Sequence, residues 1–311
     1  MWIGVIVLAV LAIGGILYVL RGHKQQPAQM DTCYESDETI AAVDTATTTE
    51  MNNGPQVAQD GWPILRVGTS SIVGKRKNQQ DALYCSEWKN RATLVSRGLL
   101  AAVADGIGGL SNGDLASVTV VQNIRSSFLA ENVVREPAEE LLHAAASAHQ
   151  GVLSLNRDGK MCGSTLVAVL IRKWSLWLLS IGDSRIALYR AGVLLTLNRE
   201  HIMKRDTDEI CVFSGTPISG DARKDKALTA FVGKENLRQI DRTLTPMRLL
   251  PGDKIVLMSD GIFGTVSEDE MCAALACAPE DAARKITALV EGKNKSAQDN
   301  ASIIVIGVSM T

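Results

Sequence analysis

Leu99-Leu100-Ala101-Ala102-Val103-Ala104-Asp105-Gly106-Ile107-Gly108-Gly109 is an apolar run of strand length that stops at an acid and three glycines. It is too short and too sharply bounded for a helix, and it reads as a buried strand. An aspartate at the tip of such a strand can face a cleft, and the glycines beyond it let backbone carbonyls approach a ligand. That arrangement suits a hard cation, although a single acid suits a tight turn equally well. The pattern recurs: Asp260 follows the apolar run 254–259, Asp299 precedes the run 302–307, and Asp81 opens the run 82–85. Four carboxylates at strand ends are hard to accommodate unless positive charge lies between them. Oxygen donors without His or Cys select Mg²⁺ or Mn²⁺ over zinc. Two such ions, about 3.5–4 Å apart, can share a carboxylate and ionise a bridging water for attack on phosphorus. Arg76, shortly before Asp81, fits as a bidentate phosphate clamp, since a planar guanidinium matches two phosphoryl oxygens.

The rest of the composition restricts the setting. A hydrophobic fraction of 46% and a net charge of −2 describe an ordinary globular chain and give no sign of a nucleic-acid partner. The six cysteines are scattered, with no CxxC pair, which excludes a zinc site or disulfide framework and indicates reduced thiols. Residues 2–20 carry no charge and match a bilayer core in length. A cleaved signal peptide is the alternative, but the positive n-region and a clear small-x-small site are missing. Arg21, His23 and Lys24 follow the run, which under the positive-inside rule places the bulk of the chain in the cytoplasm. Residues 25–60 contain no Lys or Arg but recurrent acids. Such a segment cannot bury enough apolar surface to fold and reads as a flexible tether. The expected organisation is a transmembrane anchor over 1–21, an acidic linker over 22–61 and one globular domain over 62–311.

Within that domain, strands are expected over 65–70, 82–85 and 99–105. Apolar residues at helical spacing (Leu115, Val118, Val121, Ile124, Phe128) mark a helix, and 137–153 marks a second with Pro137 in its first turn. Strands over 164–171, 174–181 and 186–189 are joined by links short enough for antiparallel hairpins. Residues 202–225 are polar and read as an irregular surface flap. Ser267 with Glu270 three residues later signals a capping box, and 279–290 is amphipathic. Paired helices between groups of strands argue for antiparallel sheets flanked by helices, an α+β fold, and against a doubly wound parallel sheet.

In this order the motifs resemble those of the metal-dependent serine/threonine protein phosphatases of the type 2C family, in its bacterial form. Arg76-Lys77-Asn78-Gln79-Gln80-Asp81 resembles the first acidic motif, and Val103-Ala104-Asp105-Gly106-Ile107-Gly108-Gly109 the central metal motif. Cys162-Gly163-Ser164-Thr165, Ile181-Gly182-Asp183-Ser184-Arg185 with Glu200-His201, and Leu228-Thr229-Ala230-Phe231-Val232-Gly233 follow, then Pro251-Gly252-Asp253, Ser259-Asp260-Gly261 and Asp299-Asn300.

The resemblance implies a four-layer α/β/β/α architecture, a central antiparallel β-sandwich flanked by helix pairs, with two Mn²⁺ or Mg²⁺ ions in a cleft at one end. Asp105 would bridge both ions with the Gly106 carbonyl on one. Asp260 and Asp299 would hold the other, and Asp81 would bind directly or through water. Asp183 and Asn300 would stand behind these ligands. A third ion is held in bacterial relatives by an Asp shortly before the Gly-Ser-Thr stretch, for which Asp158 is the nearest candidate. The implied reaction is hydrolysis of phosphoserine and phosphothreonine in protein substrates of Ser/Thr kinases by a bridging metal-bound hydroxide, without a phosphoenzyme. Ala230 stands where the family has Arg, and Ile107 where some relatives have His. A catalytically inactive binding module and a hydrolase of small phosphate esters are the alternatives. His201 reads as a hydrogen-bonded loop residue, and His143 and His149 as helix-surface residues. A single-pass membrane protein with a cytoplasmic, monomeric catalytic domain is expected.

Overall fold

The computed structural model describes residues 61–107, 110, 112–130, 135–156, 160–214 and 225–310, which belong to one compact unit. The expected anchor over 1–21, the linker but for its last residue, Gly108-Gly109 and Asp158 lie outside the described residues. The elements run β1 (Ile64–Ile72), β2 (Asp81–Cys85), α1 (Arg91–Arg97), β3 (Leu99–Asp105), α2 (Gly113–Leu129), α3 (Pro137–Leu153), β4 (Leu166–Arg172), β5 (Ser175–Ile181), β6 (Arg185–Arg190) and β7 (Val193–Thr196). Then come α4 (Met203–Ser214), β8 (Asp241–Arg242), β9 (Met247–Arg248), β10 (Lys254–Met258), α5 (Asp260–Phe263), α6 (Glu268–Leu275), α7 (Pro279–Gly292) and β11 (Ala301–Ser309).

One sheet has the order β1-β11-β10-β6-β7, and the other β2-β3-β4-β5-β8 with β9 also on β5. Every pairing between these strands is antiparallel. The sequence of β3 does not alternate because both of its faces are covered. Leu100, Ala102 and Ala104 pack with α2 and α3, whereas Leu99, Ala101 and Val103 face the other sheet. In the second sheet β11 repeats this, with Ile304, Ile306 and Val308 turned to the space between the sheets and Ala301, Ile303 and Val305 turned to α6 and α7. Three apolar layers between four layers of secondary structure give the α/β/β/α sandwich.

The capping box at α6 forms as the sequence predicts, with the Ser267 hydroxyl accepting from the Glu270 amide and the Glu270 carboxylate accepting from the Ser267 amide at 2.9 Å. The flap reading needs correction, because α4 occupies 203–214. Ile210 and Val212 within it carry no burial signal, being 55% and 79% exposed. Polar contacts hold it to the preceding loop, as Arg199 pairs with Asp206 at 2.8 Å and with Glu209 at 2.9 Å. The short α1 and the edge strands β7, β8 and β9 also lacked a periodic signature. His149 is not a plain surface residue, since its Nδ1 accepts from the Gly233 amide at 3.1 Å.

Ile304 is fully buried between the sheets. Ile304→Ala is expected to destabilise the chain by about 2–5 kcal/mol, the range for an unrelaxed core cavity. Urea unfolding would show it as a lower midpoint at unchanged slope, and a loss under about 1 kcal/mol would contradict the packing described.

Candidate metal centre

Antiparallel pairing of β2 with β3 sets the first residue of one against the last of the other, so Asp81 and Asp105 are direct cross-strand partners. The backbone at Asp105 is pinned from β4's side. Its amide donates to Thr165 Oγ1 at 3.0 Å, and its carbonyl accepts from the Thr165 amide at 2.8 Å and from Ser164 Oγ at 3.0 Å. Gly106 then turns the chain through a passage only a glycine fits, for a Cβ would lie 2.1 Å from the Gly113 carbonyl oxygen. Gly106 donates to the Gln80 carbonyl at 2.9 Å, tying the central motif to the residue before Asp81.

The other sheet supplies Asp260, where β10 gives way to α5, and Asp299, just before β11. Their two loops touch at Gly261, where a Cβ would lie 1.9 Å from the Asn300 carbonyl oxygen. Asn300 holds the turn carrying Arg76. Its Nδ2 donates to the carbonyls of Val73 at 2.8 Å and Asn78 at 3.1 Å, and its Oδ1 accepts from the Gln80 amide at 2.8 Å. Arg76 itself donates to Asp299 Oδ2 at 2.7 Å.

The four predicted acids and Asp183 act on one another. Desolvation, then the charges of Asp81, Asp260, Asp183 and Asp299, push the Asp105 carboxyl well above the usual carboxylate range. Desolvation pushes Asp81 up to about 7 against the opposing hydrogen bonds from Ser302 and Ser259. Asp183 rises to about 6, by desolvation first and Asp260 second. Asp260 is raised by desolvation and by Asp299, and it shares a hydrogen bond with Asp105. Desolvation and mutual repulsion both disfavour the charged forms of carboxyls so placed when no positive charge lies between them. Arg76 feels Asp299 most, then Asp260 and Asp105.

Among the described residues no three His, Cys, Asp or Glu side chains stand in a ready metal-binding arrangement. Their oxygens are turned to protein partners instead: Asp105 and Asp260 to each other, Asp81 to Ser259, and Asp299 to Arg76. One oxygen is left over. Asp81 Oδ1 is buried with no hydrogen-bond partner, an unfavourable state that a cation would relieve. The donors are all oxygen, so the residues fit a hard divalent ion.

Sequence reasoning missed the hydroxyls that frame the acids. Ser259 Oγ donates to Asp81 Oδ2 at 2.8 Å and accepts from the Ser302 amide at 2.9 Å. Thr165 Oγ1 bonds Ser184 Oγ at 2.8 Å. Gln79 Oε1 accepts from the Asp81 amide at 3.0 Å. Their signal was a lone polar residue beside each acid at the end of an apolar run. His201 is the loop residue expected, its Nδ1 accepting from the Gly182 amide at 3.0 Å. Arg185 pairs with Glu200 and lies 3.8 Å from the Phe263 ring centre, which fixes the turn after Asp183.

The chain is 28% identical over 255 residues to the serine/threonine protein phosphatase PstP of Mycobacterium tuberculosis, a match that takes in 79% of this chain and 45% of PstP. It therefore spans about half the length of that relative. Among solved structures, the PPM Ser-Thr phosphatase MsPP from Mycobacterium smegmatis in complex with cacodylate superposes with a TM-score of 0.63 at 26% identity, covering 79% of this chain and 99% of MsPP. The catalytic domain of PstP in complex with 2 manganese ions shares the fold at a TM-score of 0.63 and 24% identity, with 79% and 99% covered. The family model described as Protein phosphatase 2C matches residues 67–291, and the chain belongs to that family.

Proposed function

We propose that this chain hydrolyses phosphoserine and phosphothreonine in proteins with the help of two divalent ions, Mn²⁺ or Mg²⁺. The observation that carries the reading is the convergence of Asp81, Asp105, Asp260 and Asp299 from remote strand ends, near enough that the others raise the Asp105 carboxyl, together with the buried and unpartnered Asp81 Oδ1. Asp81, Asp105, the Gly106 carbonyl, Asp260 and Asp299 would hold the ions. Bound there, the ions would supply the Lewis acidity that makes water a nucleophile at neutral pH, so no phosphoenzyme is required. PstP, the relative whose catalytic domain was solved with 2 manganese ions, supports this choice of metal.

The chain's own residues do the rest. The Arg76 guanidinium binds and orients the phosphoryl group through two oxygens. Thr165 and Ser164 keep the Asp105 backbone in place, and Ser259, itself held by the Ser302 amide, fixes the Asp81 carboxylate through Oδ2. Asn300 sets the height of the Arg76 turn over the acids. Ile107, within the metal motif, has no proton to give, so the leaving alkoxide would take its proton from solvent in the site. The membrane anchor remains part of the proposal. No helix among the described residues is long and apolar enough to cross a membrane, and the uncharged run 2–20, followed by Arg21, His23 and Lys24, lies outside them.

Four outcomes are expected. Mn²⁺ at about a hundred times its dissociation constant should stabilise the wild type by about 2.7 kcal/mol, visible as a rise in the melting temperature. Asp105→Asn should lose that response while matching or exceeding the wild type in chelator, because it removes one of the mutually repelling carboxylates. A mutant that still gains stability from Mn²⁺ would refute the ligand assignment. Arg76→Ala should raise KM for a phosphothreonine peptide about tenfold or more with a smaller change in kcat, as expected for a charge-assisted contact of about 1.5–3 kcal/mol. Absence of turnover on phosphopeptides and on p-nitrophenyl phosphate under any metal condition would leave a binding module instead. Deleting residues 1–24 should move the chain from the carbonate-resistant membrane fraction to the supernatant. Retention of the truncated chain in the pellet would remove the anchor.

A further inference from the structure

Asp81 is held from two directions, and the two holds meet behind it. Its amide donates to Gln79 Oε1 at 3.0 Å, and its Oδ2 accepts from Ser259 Oγ at 2.8 Å. The rest of the Gln79 side chain is turned to β1, where Nε2 donates to Ser71 Oγ at 2.8 Å and to the Ile72 carbonyl at 3.2 Å. Ser71 is the cross-strand partner of Ser302 in β11, so both side chains stand on one face of the sheet, and their hydroxyls are 2.7 Å apart. The Ser302 amide donates to Ser259 Oγ at 2.9 Å, which leads back to Asp81. The contacts close a ring through Asp81, Gln79, Ser71, Ser302 and Ser259. It joins the first residue of β2, in one sheet, to β1, β11 and the end of β10 in the other.

The ring leaves its members little freedom. Gln79 uses its carbonyl oxygen and both amide hydrogens, which fixes the orientation of the amide. Ser259 and Ser302 are fully buried. With its amide and Oδ2 tied, Asp81 keeps Oδ1 as the buried oxygen without a partner. We propose that Ser71 and Gln79 are positioning residues that present Asp81 Oδ1 to a divalent ion, acting as one unit with Ser302 and Ser259. The inference rests on the metal reading of the acid cluster and assigns part of the metal affinity to Gln79, which reaches Asp81 through its amide, and to Ser71, which reaches it through Gln79 and Ser302. Repulsion from Asp105 and Asp260 would turn a loose Asp81 carboxylate away from its neighbours. The ring holds it in place before the ion arrives, so binding the ion costs less ordering. Because hydrogen bonds in a closed network support one another, opening it at Ser71 loosens Asp81 although Ser71 bonds no acid. The neighbouring Ser70 provides the contrast. It stands on the opposite face of β1, and its hydroxyl lies 2.7 Å from that of Thr287 in α7, away from the ring.

The test uses the full chain in detergent, stripped of metal with a chelator and titrated with Mn²⁺ by calorimetry, with melting in chelator measured alongside. Ser71→Ala and Gln79→Ala should each raise the Mn²⁺ dissociation constant about tenfold, the lower end of the loss that follows removal of a partner behind a metal ligand. The double variant should bind no more weakly than the weaker single one, because either change opens the same ring. Ser71→Thr, which keeps a hydroxyl on that face of the strand, should stay within about twofold of wild type, the scatter of unrelated substitutions. Ser70→Ala deletes a comparable hydroxyl pair from the same strand, so it should lower the melting temperature in chelator about as much as Ser71→Ala while leaving Mn²⁺ affinity unchanged. A Ser71→Ala chain that binds Mn²⁺ as tightly as wild type would overturn the inference and leave the metal reading standing. So would equal weakening by Ser70→Ala, a Thr variant as weak as the Ala variant, or additive losses in the double variant. A wild type that binds no Mn²⁺ would remove the metal reading and this inference together.

Discussion

Asp81 and Asp105 face each other across two hydrogen-bonded strands, and Asp260 shares a hydrogen bond with Asp105. Carboxylates so placed repel one another, and desolvation adds to the penalty on each charged form. Their proximity is unfavourable for the metal-free chain, so the rest of the molecule must hold them there. It does so with rigid backbone. Each acid lies at or beside the end of a strand whose apolar residues pack wholly or partly into the core layers, and moving any one of them would shift a core strand.

The two sheets contribute unequally to this confinement. Asp81 and Asp105 belong to the sheet packed on α2 and α3, and Asp260 and Asp299 to the ends of two neighbouring strands in the other. Apolar packing alone sets sheets about 10 Å apart, which leaves the relative height of their edges loosely specified. Ser259 and Ser302 supply what packing does not. Ser259 bonds Asp81 from the opposite sheet and is held in turn by the Ser302 amide, and Asn300 ties the β1–β2 connection to the start of β11. Gly261 is the matching steric condition, because any side chain there would push the Asp260 and Asn300 loops apart. These polar stitches occur at the end of the sandwich that carries the acids.

The sequence made the strands and the acids readable because both depend on local pattern. A buried strand in a two-sided sheet is a short unbroken apolar run, and an acid that ends such a run stands out, as at Asp105 and Asp260. The family motifs then ordered the acids along the chain. Hydroxyl partners such as Ser259, Ser302 and Thr165 were harder to see, since a serine beside an acid is common and its meaning depends on a strand more than 170 residues away, as the Ser259–Asp81 bond shows. The helix α4 was illegible for a different reason. It exposes Ile210 and Val212 and is held by Arg199 from outside the helix, so neither apolar spacing nor capping residues announced it.

The Arg76–Asp299 pair links the two halves of the chemistry. In the structure the guanidinium and the carboxylate are 2.7 Å apart, with side chains 49% and 38% exposed. An ion pair that open to water contributes roughly 0–1 kcal/mol, so separating it is easy. On the proposed ligand set each partner would have a stronger claim elsewhere, Asp299 on a divalent ion beside Asp260 and Arg76 on a phosphoryl dianion that it can grip through two donors. An ion held by Asp299 would leave the Arg76 guanidinium free for phosphate, so metal and substrate would favour each other through a single exchanged contact, and the coupling would be no larger than the weak pair it replaces.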